Sequence, residues 1–127
     1  INHVIKSREW FRPFAPVVLE EDYKDWFDFP IPSPFMLYTA KVKQPEKIPA
    51  VTHIDGSARF QTINQETNLT YYNLIKKFKE ITGVPVLLNT SLNGNGEPIL
   101  ETEEEAINFF KKSHLNLMIV NGKIHHK

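Results

Sequence analysis

The chain of 127 residues balances 15 Lys and Arg against 15 Asp and Glu, for a formal net charge of zero, and is 41% hydrophobic and 24% charged. That composition describes one globular domain with its own core, spanning residues 1–127, and the lack of basic excess argues against a broad nucleic-acid surface. With no cysteine, no apolar run of ~20 residues and no signal-peptide layout, disulfide frameworks, thiolate nucleophiles and a membrane span are set aside, and a cytoplasmic location is expected.

In chain order, Val4 and Ile5 open a strand that runs toward Trp10 and a Pro-bearing turn. Glu20–Phe27, short, acidic and aromatic, predicts one or two helical turns. Pro30, Pro32 and Pro34 exclude regular helix, so that stretch is a connector. Phe35–Val42 predicts a strand. Val51–Ile54 and Ala58–Ile63 predict two strands joined by an Asp55-Gly56 hairpin turn.

Asn68–Thr82 predicts a helix with Tyr71, Leu74, Ile75, Phe78 and Ile81 on its apolar face and Lys76, Lys77 and Lys79 toward water. Gly83 and Pro85 end it. Val86–Leu88 is a short buried strand leading into the polar loop Asn89–Gly96. Thr102 and Glu105 form a capping box for a helix reaching Lys112, with Ala106, Phe109 and Phe110 inward. Leu117–Val120 and Lys123–His125 close the chain as a hairpin around Asn121-Gly122. Hairpins mixed with helical crossovers predict an α/β (α+β) fold: a twisted mixed β-sheet flanked by helices.

Three segments could carry chemistry. Lys6-Ser7-Arg8, on a strand, places two cations on one face, where an anion would relieve their repulsion; Arg12 could add a third contact. Arg8, Arg12 and Arg59 are the only arginines, and arginine grips phosphate or carboxylate in a bidentate fork. Structural ion pairs explain the same residues equally well. The loop Asn89-Thr90-Ser91-Leu92-Asn93-Gly94 follows a buried strand and offers amides, hydroxyls and a glycine suited to a phosphate or carbonyl cradle; a plain surface turn is the alternative. His53 and Asp55 alternate on the predicted hairpin, with Arg59 across its turn. They are too few to argue a metal site, and turn chemistry alone accounts for Asp55-Gly56. The sequence has no Walker A motif, dinucleotide fingerprint or nucleophile elbow.

Taken together, KSREWFRPFAP, IPAVTHIDGSARFQT and TGVPVLLNTSLNGNGEPI resemble the C-terminal region of the O-carbamoyltransferase family, which includes nodulation-factor, cephamycin and tobramycin carbamoyltransferases. The resemblance runs from Asn2 to about Val120. It implies a YrdC-like module, here short of its N-terminal strands, within a longer enzyme whose N-terminal Kae-like domain performs the final transfer. An open sheet edge of that kind can be covered by a homodimer. The YrdC-like KxR…SxN signature falls on Lys6, Arg8, Ser91 and Asn93.

The implied substrates are carbamoyl phosphate and ATP, with Mg²⁺ accompanying the nucleotide. The implied chemistry is formation of carbamoyladenylate. Lys6, Arg8 and Arg59 are the expected catalytic residues, and Arg12, His53, Asp55, Asn89, Ser91 and Asn93 the expected binding residues. The alternative from another class is a non-catalytic YrdC-like module that binds nucleotide or RNA.

Overall fold

A computed structural model describes every residue except Arg8. The described residues form an α+β fold, with three α-helices, two three-stranded sheets and a two-stranded ribbon. The chain forms two compact units: Pro13–Thr90, and Ile1–Arg12 together with Ser91–Lys127.

In the Pro13–Thr90 unit the organising element is β1, Ala15–Leu19, which lies between β5 (Gln61–Ile63) and β6 (Val86–Asn89). It runs parallel to β5 and antiparallel to β6. All five residues of β1 are buried, because its two faces serve two cores. Val18 packs with Phe27, Phe60 and Val86 on one side. Val17 and Leu19 pack with Ile63, Tyr72 and Ile75 on the other. Alternation of side chains along a strand makes that division.

The second sheet has the order β2 (Phe27–Asp28), β3 (Thr39–Val42) and β4 (Ser57–Arg59), all antiparallel. The single helical turn α1, Tyr23–Trp26, feeds into β2 and buries Tyr23 and Trp26. Phe60, fully buried, separates β4 from β5. Its ring stacks on Phe27 at 4.9 Å and on Tyr23 at 6.1 Å. The segment expected as one strand from Ala58 to Ile63 therefore changes sheets at Phe60. Truncating such an aromatic to alanine typically costs about 3–5 kcal/mol.

The helix α2, Leu69–Thr82, has the expected boundaries. The Asn68 side chain accepts a hydrogen bond from Tyr71 N–H, and Gly83 ends the helix at φ 77°. Its buried face differs from the expected stripe. Tyr72 and Ile75 are buried, whereas Leu74, Phe78 and Ile81 are 57, 36 and 75% exposed. The inward face is turned by ~100°, one residue around the helix. Lys79 lies along it and bonds both carboxylate oxygens of Asp22 at 2.8 Å, rather than pointing only to water. Periodicity alone could not choose between the two overlapping apolar stripes.

Three other expectations are corrected. Val4 and Ile5 form no strand: Asn2–Ile5 is a turn, with Ile5 N–H and Lys6 N–H both donating to Ile1 O at 2.9 and 3.1 Å. Phe35–Tyr38 is not strand either, and Met36 at φ 56° breaks the extended run. The predicted strand Val51–Ile54 is instead a 3-10 turn, Pro49–Val51, followed by a tight turn. The true partner of β4 is β3.

In the other unit, α3 (Glu103–Lys112) carries the expected capping box between Thr102 and Glu105. Ala106 and Phe110 pack on Met118 of the ribbon formed by β7 (Leu117–Val120) and β8 (Lys123–His126). Asn121 and Gly122 both adopt positive φ, 49° and 75°, as a two-residue hairpin turn requires. Among the described residues no helix is long and apolar enough to cross a membrane.

Candidate functional site

The site is built within the unit that holds both chain ends. The N-terminal turn delivers Lys6, which is only 5% exposed. Its ammonium donates to Ser91 O at 2.7 Å, Asn93 O at 2.9 Å and Asn93 Oδ1 at 2.7 Å, with Ser91 Oγ at 3.5 Å. An ammonium has three N–H donors, and these three short bonds use them. Ser91 Oγ–H also donates to Asn93 Oδ1, at 2.6 Å.

These contacts fix the orientation of the Asn93 amide. Its oxygen faces two donors, so its nitrogen faces the other way and donates to Glu97 O at 2.8 Å. Glu97 closes the loop a second time, accepting Gly94 N–H on Oε2 at 3.1 Å. A Cβ on Gly94 would stand 2.5 Å from that carboxylate oxygen, so the glycine permits the approach. Beside this loop lies a cleft of about 650 Å³, lined in part by Ser7, Gly94, Glu97, Asn108, Phe109 and Lys112. Its size falls within the range of small-molecule sites.

Lys6, Ser91 and Asn93 therefore come together, 85 and 87 residues apart in sequence. They do so by a geometry different from the expected one. Lys6 lies on a bend rather than on a strand, and the expected pairing with Arg8 lies outside the described residues. Lys6 instead points into the loop and is held largely by carbonyl and amide oxygens.

The other candidate residues are placed separately. Arg12 pairs with Glu9, its Nε 2.8 Å from Oε2, with both side chains half exposed. Such a pair is worth little. In the Pro13–Thr90 unit, Asn89 donates to Gln61 Oε1 at 2.8 Å, and Gln61 donates to Pro34 O at 3.0 Å, forming a chain of amides. Arg59 is exposed at the end of β4.

His53 and Asp55 meet through Ser57 rather than by strand alternation. Ser57 Oγ lies 3.2 Å from His53 Nδ1 and donates to Asp55 Oδ1 at 2.7 Å. Ser57 N–H also donates to Asp55 Oδ1, at 2.9 Å. These bonds hold the Asp55 carboxyl below its usual range, the Ser57 hydroxyl contributing most. Gly56 takes φ 78°. The group works as a turn. Among the described residues no three His, Cys, Asp or Glu side chains gather as a metal site.

Glu97 was not among the sequence-derived candidates. Its signal was its place directly after the Gly94–Gly96 segment, where a side chain can fold back onto open backbone N–H groups.

The fold and site define the class of the chain: an α+β module in which an N-terminal lysine is caged by a downstream Ser-x-Asn loop. The chain belongs to the carbamoyltransferase C-terminus family, whose model matches residues 1–127. It is 42% identical over 125 residues to nodulation protein NolO of Bradyrhizobium diazoefficiens, covering 94% of this chain and 23% of that protein. It is 42% identical over 127 residues to NolNO of Sinorhizobium fredii, covering 96% of this chain and 19% of the relative. Against the 3'-hydroxymethylcephem-O-carbamoyltransferase of Amycolatopsis lactamdurans, identity is 39% over 116 residues, 91% of this chain and 22% of the relative. The chain thus spans about a fifth of the length of these relatives.

Proposed function

We propose that this module is the activating part of an O-carbamoyltransferase: it binds ATP and carbamoyl phosphate and forms carbamoyladenylate. An acceptor hydroxyl is then carbamoylated in a Kae-like domain earlier in the same polypeptide. The observation that supports this reading is the convergence of Lys6 with Ser91 and Asn93 in one unit. Family membership and the name of the cephem O-carbamoyltransferase relative point the same way. The YrdC-like character of the module is part of the same proposal.

The chemistry runs as follows. Carbamoyl phosphate gives its phosphoryl group to water, leaving carbamate and inorganic phosphate. A carbamate oxygen attacks the α-phosphorus of ATP. The new P–O bond replaces the bond to the β-phosphate oxygen, and pyrophosphate departs. The acceptor alcohol later attacks the carbamoyl carbon and expels AMP. Carbamate decomposes in water, so an enclosed site is required.

At phosphorus, charge builds on the non-bridging oxygens, which preorganised cations and N–H donors stabilise better than an acid–base pair would. Lys6 supplies a buried positive charge behind the loop and holds its shape. To hold the phosphates, the Ser91 hydroxyl and the Asn93 amide nitrogen exchange their bonds to Asn93 Oδ1 and Glu97 O for phosphate oxygens. Arg8 adds charge, and Arg12 can exchange Glu9 for a substrate anion because an exposed ion pair is weak. Mg²⁺ travels on the phosphates of ATP.

The test is pyrophosphate release by the full-length protein given ATP and carbamoyl phosphate. Release that needs both substrates is expected. Absent release, or release indifferent to carbamoyl phosphate, overturns the reading; nucleotide binding without release would leave a non-catalytic module.

A further inference from the structure

The Pro-rich stretch between β2 and β3 turns apolar side chains toward solvent, yet it is firmly held. Ile31, Phe35, Leu37 and Tyr38 are 49, 79, 71 and 41% exposed. At one end Ser33 N–H donates to Thr62 Oγ1 at 3.0 Å, and Thr62 N–H donates back to Ser33 O at 3.0 Å. Gln61 Nε2 donates to Pro34 O at 3.0 Å. At the other end Tyr38 stacks on Phe29 at 4.9 Å, and Phe29 meets the core ring of Phe60 edge-on at 5.8 Å. Between these anchors Met36 takes φ 56°, a conformation unfavourable for a residue with a side chain and commonly retained where it serves a function.

An ordinary solvent loop is polar. This one is anchored at both ends and clusters apolar side chains within eight residues, as an interaction surface does. Because it is already ordered, docking costs it little conformational entropy. The greater length of the relatives supplies a candidate occupant. The matched stretch is only 19–23% of the relatives and belongs to a family defined at a C-terminus. Most of their polypeptide therefore precedes the corresponding region. A tethered neighbour meets this surface at high effective concentration.

We propose that Phe35 and Leu37 dock against the part of the same polypeptide that precedes this module. The proposal rests on the reading that the chain is the C-terminal part of a longer enzyme. It goes beyond that reading by assigning the contact surface.

The test uses the full-length protein with a photoreactive benzophenone amino acid in place of Phe35, a position exposed enough to accept it. Hydrogen exchange of residues 35–38 is measured on the unsubstituted protein. The expected result is a cross-link within one polypeptide to a segment preceding this module, with exchange slowed ~10²-fold or more over an open loop. Cross-links only between copies, cross-links to residues 91–127, or fast exchange with no cross-link each overturn the proposal. Pyrophosphate release measured on the same protein separates the two ideas. Release without the cross-link sinks the interface alone; the cross-link without release sinks the chemistry alone.

Discussion

Replacing Lys6 by methionine keeps most of the apolar stem and deletes the ammonium. Three oxygens then lose a charged donor: Ser91 O, Asn93 O and Asn93 Oδ1, held at 2.7–2.9 Å. Hydrogen bonds to charged groups contribute about 1.5–3 kcal/mol each. The three share one nitrogen and are not additive. Ser91 is exposed, so water can reach part of the loop, while the Ser91–Asn93 bond survives. The net loss expected for Lys6→Met is therefore about 2–3 kcal/mol, read as a lower denaturation midpoint without a change in slope. Hydrogen exchange should localise it to residues 91–100. Lys6→Arg should recover little, because a planar fork does not match three oxygens gathered around one point. A cation whose only task is to touch phosphate would behave differently: Lys6→Met would leave stability within about 0.5 kcal/mol and change only substrate binding. That outcome would refute the cage as the role of Lys6.

Ser33 is 1% exposed, and its hydroxyl has no hydrogen-bond partner among the described residues; Ser33→Ala should be neutral or stabilise by up to about 1 kcal/mol, and a loss above 1 kcal/mol by urea titration would contradict this. Gly83 ends α2 at φ 77° with nothing within 4 Å of an added Cβ, so Gly83→Ala should cost about 1–2 kcal/mol from backbone strain alone, with Gly83→Asn milder. Glu105 is held below its ordinary value of 4.5, chiefly by backbone N–H groups of Glu101 and Thr102. A depressed carboxyl stabilises the fold above its unfolded pKa and loses that contribution as pH falls through the folded one. Its NMR titration midpoint should thus lie below 4.5, and amide protection at the start of α3 should fade under acid; a midpoint at or above 4.5 would contradict the cap.

Much of the secondary structure was legible where one local rule dominates. The ends of α2 follow from Asn68 and Gly83, the start of α3 from Thr102 and Glu105, and the closing ribbon from Asn121-Gly122. Backbone N–H satisfaction and positive φ are properties of a few adjacent residues, so sequence carries them. The run Ala15–Leu19 also carries a readable signal, since five consecutive apolar residues mark a strand covered on both faces, although no element is expected there and the first strand is expected at Val4 and Ile5. For the site, Lys6, Ser91 and Asn93 could be nominated from charge, loop chemistry and resemblance. Arg12 and Asp55 were equally open to the structural explanations that their contacts with Glu9 and Ser57 now supply.

Tertiary structure alone decided the rest. Strand pairing depends on which edges remain open once the chain has collapsed, so Ser57–Arg59 joins Thr39–Val42 while Gln61–Ile63 joins Ala15–Leu19. The inward face of α2 depends on the sheet it meets, and only there do Tyr72 and Ile75 prevail over Leu74 and Ile81. The ammonium of Lys6 is met chiefly by main-chain carbonyls and an amide oxygen of residues 91–93. Carbonyl groups are the same in every residue, so no spelling of the sequence could mark them as its partners; only the path of the backbone brings them to one nitrogen.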